Sequence, residues 1–180
     1  MVREKLNGSF IRLRTLPTNY YIALFSKQIT YLIVTLLQAI LIFAIGIYLF
    51  PFIGLPALRL PSDIIGLVLV TLMCGWCAVS YAIFVGVLSN TQEQANGFGA
   101  RARGMLESIG GLIVPAFAMP DSFRTLMKIS PLHWCLEAYY GLFLEGGKLK
   151  DVYSNVIPLF AITIILQLLT FWGLKRKNLI

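Results

Sequence analysis

The fold class predicted by this sequence is an all-α, polytopic membrane protein with about four transmembrane spans, and three observations carry that expectation. Residues 29–50, 64–88 and 155–174 are long apolar runs without a single Asp, Glu, Lys, Arg or His. A helix rises about 1.5 Å per residue and the hydrocarbon core is about 30 Å thick, so roughly 20 such residues suffice to cross. The composition, 58% hydrophobic against 13% charged with a mean hydropathy of +0.79, lies outside the range of soluble domains. Finally, the basic residues are clustered: Arg3, Lys5, Arg12, Arg14 and Lys27 precede the first run, Arg101 and Arg103 follow the second, and Lys175, Arg176 and Lys177 follow the last. By the positive-inside rule these clusters are cytoplasmic, which gives an even number of crossings and places both termini inside. The net charge of +7 is therefore read as topological, and nucleic acid is not an expected partner.

The chain divides into a cytoplasmic amphipathic segment, 1–28, and a transmembrane domain, 29–180. In the first segment Leu6, Phe10 and Leu13 fall at helical spacing among basic residues, and Pro17 ends or kinks the helix. Such a helix either rests on anionic lipid or docks a cytoplasmic partner. The first apolar run starts far from the amino terminus and lacks a small-residue cleavage pattern, so it reads as a retained span rather than a secretory signal.

Spans 29–50 and 64–88 form a hairpin. Pro51, Gly54, Pro56 and Pro61 mark the short external connection, and Ser62 or Asp63 is placed to cap the second helix. Within that helix lies Cys74-Gly75-Trp76-Cys77. A redox CxxC needs an exposed helix start to lower a thiol pKa, whereas this one sits in the middle of an apolar run, so the cysteines read as small hydrophobes. Gly97-Phe98-Gly99 resembles part of a dinucleotide fingerprint, yet no strand precedes it, and it reads as a loop between spans.

A third span, 104–119, is short and interrupted by Gly110-Gly111 and Pro115. Glu107 in such a segment needs a partner or an aqueous cavity. Arg103 stands one turn away as a pairing residue, and a place on a translocation path is the other reading. Residues 120–147 are too polar to span and too apolar to float. They are expected to form two external interfacial helices, started by Pro120 and by Ser130-Pro131, with Trp134, Tyr139, Tyr140 and Phe143 at headgroup depth. His133 and Glu137 have the i,i+4 spacing of metal ligands, but two donors do not make a site. A membrane-embedded enzyme built on His133, Glu137 and Glu107 lacks a nucleophile and base set.

Taken together, Gly110-Gly111, Val114-Pro115, Met119-Pro120, Ser130-Pro131-Leu132-His133-Trp134 and Glu137-Ala138 resemble, in order and spacing, the carboxy-terminal signature of ABC-2 type exporter permeases. The resemblance implies a permease subunit of an ATP-driven exporter, working with a second permease copy, as a homo- or heterodimer, and with ABC ATPase subunits. It implies that Phe10, Arg12, Leu13 and Arg14 contact the ATPase. Gln38 and Glu107 become candidates for the path or a dimer contact, and Gly110, Gly111, Pro115, Pro120, Ser130, Pro131, Trp134 and Glu137 for an external re-entrant signature. The chain has no GxxxxGK[ST] phosphate loop, so it is expected to be no enzyme and to hold no cofactor, with ATP and Mg bound by the partner ATPase. Relatives usually have six spans, and this chain resembles their carboxy-terminal half. An alternative is a membrane fragment without transport of its own.

Overall fold

The computed structural model describes residues 20–114 and 119–176. Phe10, Arg12, Leu13, Arg14 and Pro115 lie outside the described residues. Among those described, the secondary structure is helical throughout: α1 (Tyr20–Ala44), continued by a π-helical turn (Ile45–Leu49) and a last turn (Phe50–Phe52), α2 (Ile64–Leu88), α3 (Gln92–Ile109), α4 (Asp121–Met127), α5 (Pro131–Phe143) and α6 (Leu149–Arg176). Three of these, Leu24–Phe52, Ile64–Leu88 and Leu149–Arg176, are long and apolar enough to cross a membrane. The chain is an all-α, multi-pass membrane protein.

Within the described residues the first helix already holds Tyr20–Lys27, ahead of the apolar run. It leaves α-helical register near its far end because of Pro51. The Phe50 amide bonds the Ile45 carbonyl, five residues back. In that register Gly46 would need a donor from Pro51, which has no N–H. The Gly46 carbonyl instead accepts from the Leu58 amide at 3.0 Å, so the connecting loop folds back onto the helix. A Cβ on Gly46 would stand 3.0 Å from Leu58 Cδ2, and the missing side chain is what admits the loop.

Helix α2 is the centre of the bundle, in contact with α1, α3, α5 and α6. Near its start, Leu67 and Val70 pack with Ala138 and Leu142 of α5 and Val152 and Val156 of α6. Near its end, Val87 packs with Leu24 of α1 and Leu174 of α6. Helix α1 therefore runs antiparallel to α2 and α6 parallel to it, and both ends of the described chain lie at the same end of the bundle. The α1–α2 hairpin closes tightly at Gly75, where a Cβ would sit 3.2 Å from Thr35 Cγ2 and 3.3 Å from Leu32 Cδ1. It is pinned by Gln28 Nε2 donating to Ser80 Oγ at 2.8 Å, a cross-helix bond of the kind that joins helices in lipid.

A parallel pair such as α2 and α6 requires the intervening chain to return across the bundle, and here the expectation of a span at 104–119 needs correction. Helix α3 covers Gln92–Ile109 and stops at Gly110, followed by Gly111 with φ of 88°. It takes in Gly97-Phe98-Gly99, expected as loop. Thr91 starts it, its side chain accepting from the Gln94 amide at 3.1 Å, while Gln94 Oε1 accepts from the Asn90 amide at 2.9 Å. This is close to a capping box, which nucleates a helix that apolar periodicity does not announce.

The other half of the return is α5. It runs antiparallel to α2, with Leu142 against Gly66, Tyr139 bonded to Thr71, and Pro131 and Leu132 sharing a cavity wall with Cys77 and Ala78. Its first turn thus lies level with the middle of α2. Two part-length helices, α3 and α5, meet at mid-height in place of one span. Glycine and the buried Ser130 make the joint: Ser130 Oγ donates to the Leu106 carbonyl at 3.0 Å, and the same carbonyl accepts the Gly110 amide at 2.8 Å.

Two aromatic residues of α5 tie it to its neighbours. Thr71 donates to the Leu67 carbonyl, so the Tyr139 hydroxyl is the donor in its 2.9 Å bond to Thr71. Phe143 stacks on Phe43 of α1 with centroids 6.1 Å apart. Both rings join helices. Trp134 Nε1 donates to the Lys128 carbonyl at 2.8 Å and ties α5 to the turn that follows α4.

Candidate functional site

Every fourth residue of α2 from Ala78 onward is small: Ala78, Ala82 and Gly86 lie on one face. Without bulky side chains that face cannot fill the space toward α3, and two cavities open along it. The first, of about 610 Å³, lies between α1, α2 and the start of α3, with Lys27, Tyr31, Thr35, Gln38 and Gln92 on its walls. The second, of about 670 Å³, lies between α2, α3 and α5, with Tyr81, Arg103, Glu107, Pro131 and Leu132. Ala78, Ala82, Gly86, Ala95 and Asn96 line both, so a wall of short side chains is all that divides them.

Gln38 and Glu107, predicted as path or dimer residues, fall on opposite sides of this wall. Gln38 is exposed on α1. Glu107 is half-buried and paired with the exposed Arg103, Nε to Oε1 at 3.0 Å. The expected pairing with Arg103 is present, and both residues of the pair line the second cavity. Such an i,i+4 pair is worth only about 0.3–0.5 kcal/mol, so α3 is held by its caps and packing rather than by this bridge.

The signature residues separate into a joint and a wall. Gly110 and Ser130 make the junction of the half-helices, and a Cβ on Gly110 would meet the Leu106 carbonyl at 2.6 Å and Ser130 Oγ at 2.9 Å. Gly111 abuts the buried Met127 of α4. Pro120 precedes the first turn of α4 and accepts there from the Phe123 amide at 2.9 Å. Pro131 opens α5 and borders the second cavity. Glu137 is half-buried one turn beyond His133, whose Nδ1 is buried with no hydrogen-bond partner among the described residues.

Sequence reasoning missed the small-residue wall and Tyr81, whose buried hydroxyl has no partner among the described residues. The i,i+4,i+8 spacing of Ala78, Ala82 and Gly86 was the available signal for the wall. Chemically, the arrangement can hold a solute between apolar helices and offer it a few polar groups.

Comparison with known proteins fits this architecture. The family described as ABC-2 type transporter matches residues 1–144. The chain is similar to the probable multidrug ABC transporter permease YbhR of Escherichia coli strain K12, with 26% identity over 181 residues, covering 98% of this chain and 46% of that protein. The permease of the same name from Escherichia coli O157:H7 matches with the same identity and coverage. The chain thus spans about half the length of the curated relatives it matches. No solved structure matches it.

Proposed function

This chain belongs to the ABC-2 type transporter family, and from that premise we propose that it contributes to the translocation path of an ATP-driven exporter in the cell membrane, with the two cavities along α2 as its part of that path. It is a permease component, and ATP with its magnesium ion is held by separate ATPase subunits. A second permease copy, identical or homologous, completes the path. The observation that carries this reading is the thin wall of Ala78, Ala82 and Gly86 between two cavities, one bearing Gln38 and the other Glu107. Discontinuous helices that line such a cavity at mid-membrane depth are a recurrent device of transport proteins, since non-helical backbone survives there only against protein or water.

Both ends of the described chain lie at one end of the bundle, and the basic clusters support placing that end in the cytoplasm. The segment with Phe10, Arg12, Leu13 and Arg14 then meets the ATPase. The curated relatives' names carry the word multidrug, which makes amphipathic drug-like compounds the first panel to test.

The experiment is to tag the carboxy terminus, solubilise native membranes in mild detergent and identify co-purifying chains by mass spectrometry. The recovered complex is then reconstituted and ATP-dependent movement of the panel measured. Recovery of an ATPase and a second permease copy, with ATP-dependent transport, is the expected result. A chain recovered without an ATPase and inactive with ATP overturns the exporter reading.

A further inference from the structure

The cysteines play no part in the reading above, and the fold reorders them. Cys74 and Cys77 lie one turn apart within α2, and Cys77 is only 3% exposed. Cys74 and Cys135 of α5 line the second cavity together. Both are half-buried.

Their position follows from the packing register. Along the antiparallel α2–α5 seam Gly66 lies against Leu142 and Thr71 is bonded to Tyr139, and the same register carries Cys74 opposite Cys135. One turn further the helices part, and Cys74 and Cys135 stand on the wall of the second cavity. The cavity also carries Asn96, Arg103 and Glu107, which give a small polar solute a route to the thiols.

We propose that Cys74 and Cys135 are an oxidative modification site, at which a small permeant hydroperoxide converts the two thiols to a disulfide that staples α2 to α5 at the edge of the cavity. The balance is simple. One thiol attacks the peroxide oxygen, giving a sulfenic acid and, with hydrogen peroxide, one water. The second thiol attacks that sulfur, the S–S bond forms and a second water leaves. Two thiols are oxidised by two electrons and the O–O bond is reduced. The site does not depend on the exporter reading, since it needs only the α2–α5 seam.

The test treats membranes containing the full chain with hydrogen peroxide, blocks the remaining thiols with N-ethylmaleimide under denaturing conditions and maps the cysteines by mass spectrometry. The expected product is an intramolecular Cys74–Cys135 linked peptide, with Cys77 alkylated, and dithiothreitol reverses it. Cys77→Ser keeps the cross-link, whereas Cys74→Ser and Cys135→Ser each abolish it. A Cys74–Cys77 bond, linkage only between chains, or three alkylated thiols at a peroxide dose that oxidises the detergent-unfolded chain overturns the proposal.

Discussion

The Leu149 amide donates to Asp63 Oδ2 over 2.9 Å, while the other oxygen of the same carboxylate accepts the Gly66 amide at 3.0 Å. One side chain thus caps the starts of both α2 and α6, helices whose first residues are 85 apart in sequence but parallel in space. Hydrogen bonds from Gly66 first, and then from Leu149, hold the Asp63 pKa below its ordinary 3.8. A depressed carboxyl pKa contributes stability that is fully present above the unfolded value and is lost as pH falls through the folded one. The thermal unfolding midpoint of the wild-type protein in detergent should therefore drop as pH is lowered below 3.8, and Asp63→Asn should start lower and show a smaller drop. Identical pH profiles for the two would remove the double cap.

The junction of α3 and α5 should tolerate loss of a hydrogen bond better than gain of a methyl group. Gly110→Ala forces a Cβ against the Leu106 carbonyl, which is backbone and cannot swing aside, and should cost about 2–3 kcal/mol. Ser130→Ala removes one donor from a carbonyl that keeps the Gly110 amide, at about 1 kcal/mol. Unfolding in mixed micelles of rising dodecyl sulfate content would rank the two, and the reverse order would contradict the geometry.

At the α1–α2 crossing, Gly75→Leu should push the hairpin apart. Its side chain would enter the space of Leu32 and Thr35, a strain of about 2 kcal/mol or more. Gly97→Leu serves as a control, because a side chain there meets open space. Equal stability of the two variants would show that close approach at Gly75 does not set the cost, since the gain in helix propensity from Gly to Leu is common to both.

Transport gives a fourth measurement. Ala82 lines both cavities, so Ala82→Phe should fill the space on both sides of the wall and lower ATP-dependent efflux at least tenfold with the assembled complex still recovered. Gln38→Leu and Glu107→Ala, each touching one cavity, should give smaller and separable losses. Wild-type efflux from all three variants would move the path elsewhere.

The three long spans were legible because each is a charge-free run that water cannot solvate, and Asp63 was one of two residues expected to cap α2. The return across the bundle was not legible as a helix pair. Gln92–Ile109 carries three glycines, two arginines and two glutamates, and its start is set by Thr91 and Gln94 rather than by apolar periodicity. Of the site, Gln38 and Glu107 could be named as polar residues in apolar surroundings. That they face two cavities with a common wall depends on how α1 and α3 rotate against α2, which no single helix encodes. Cys74 and Cys135 share a cavity wall only because of the antiparallel seam.

The divided return crossing also bears on how the chain is made. The α1–α2 hairpin and α6 are apolar enough for the insertion machinery to partition each into lipid as it emerges. Helix α3, with Arg101, Arg103, Glu93 and Glu107, is not: each such residue near a helix centre costs about 2.5–3.5 kcal/mol on insertion scales. It has to wait in the aqueous phase until α2, and α5 beside it, are in place to receive it. Biogenesis is therefore predicted to be ordered, with a late, post-insertional entry of α3 and a short-lived intermediate in which the 89–130 stretch remains accessible to protease.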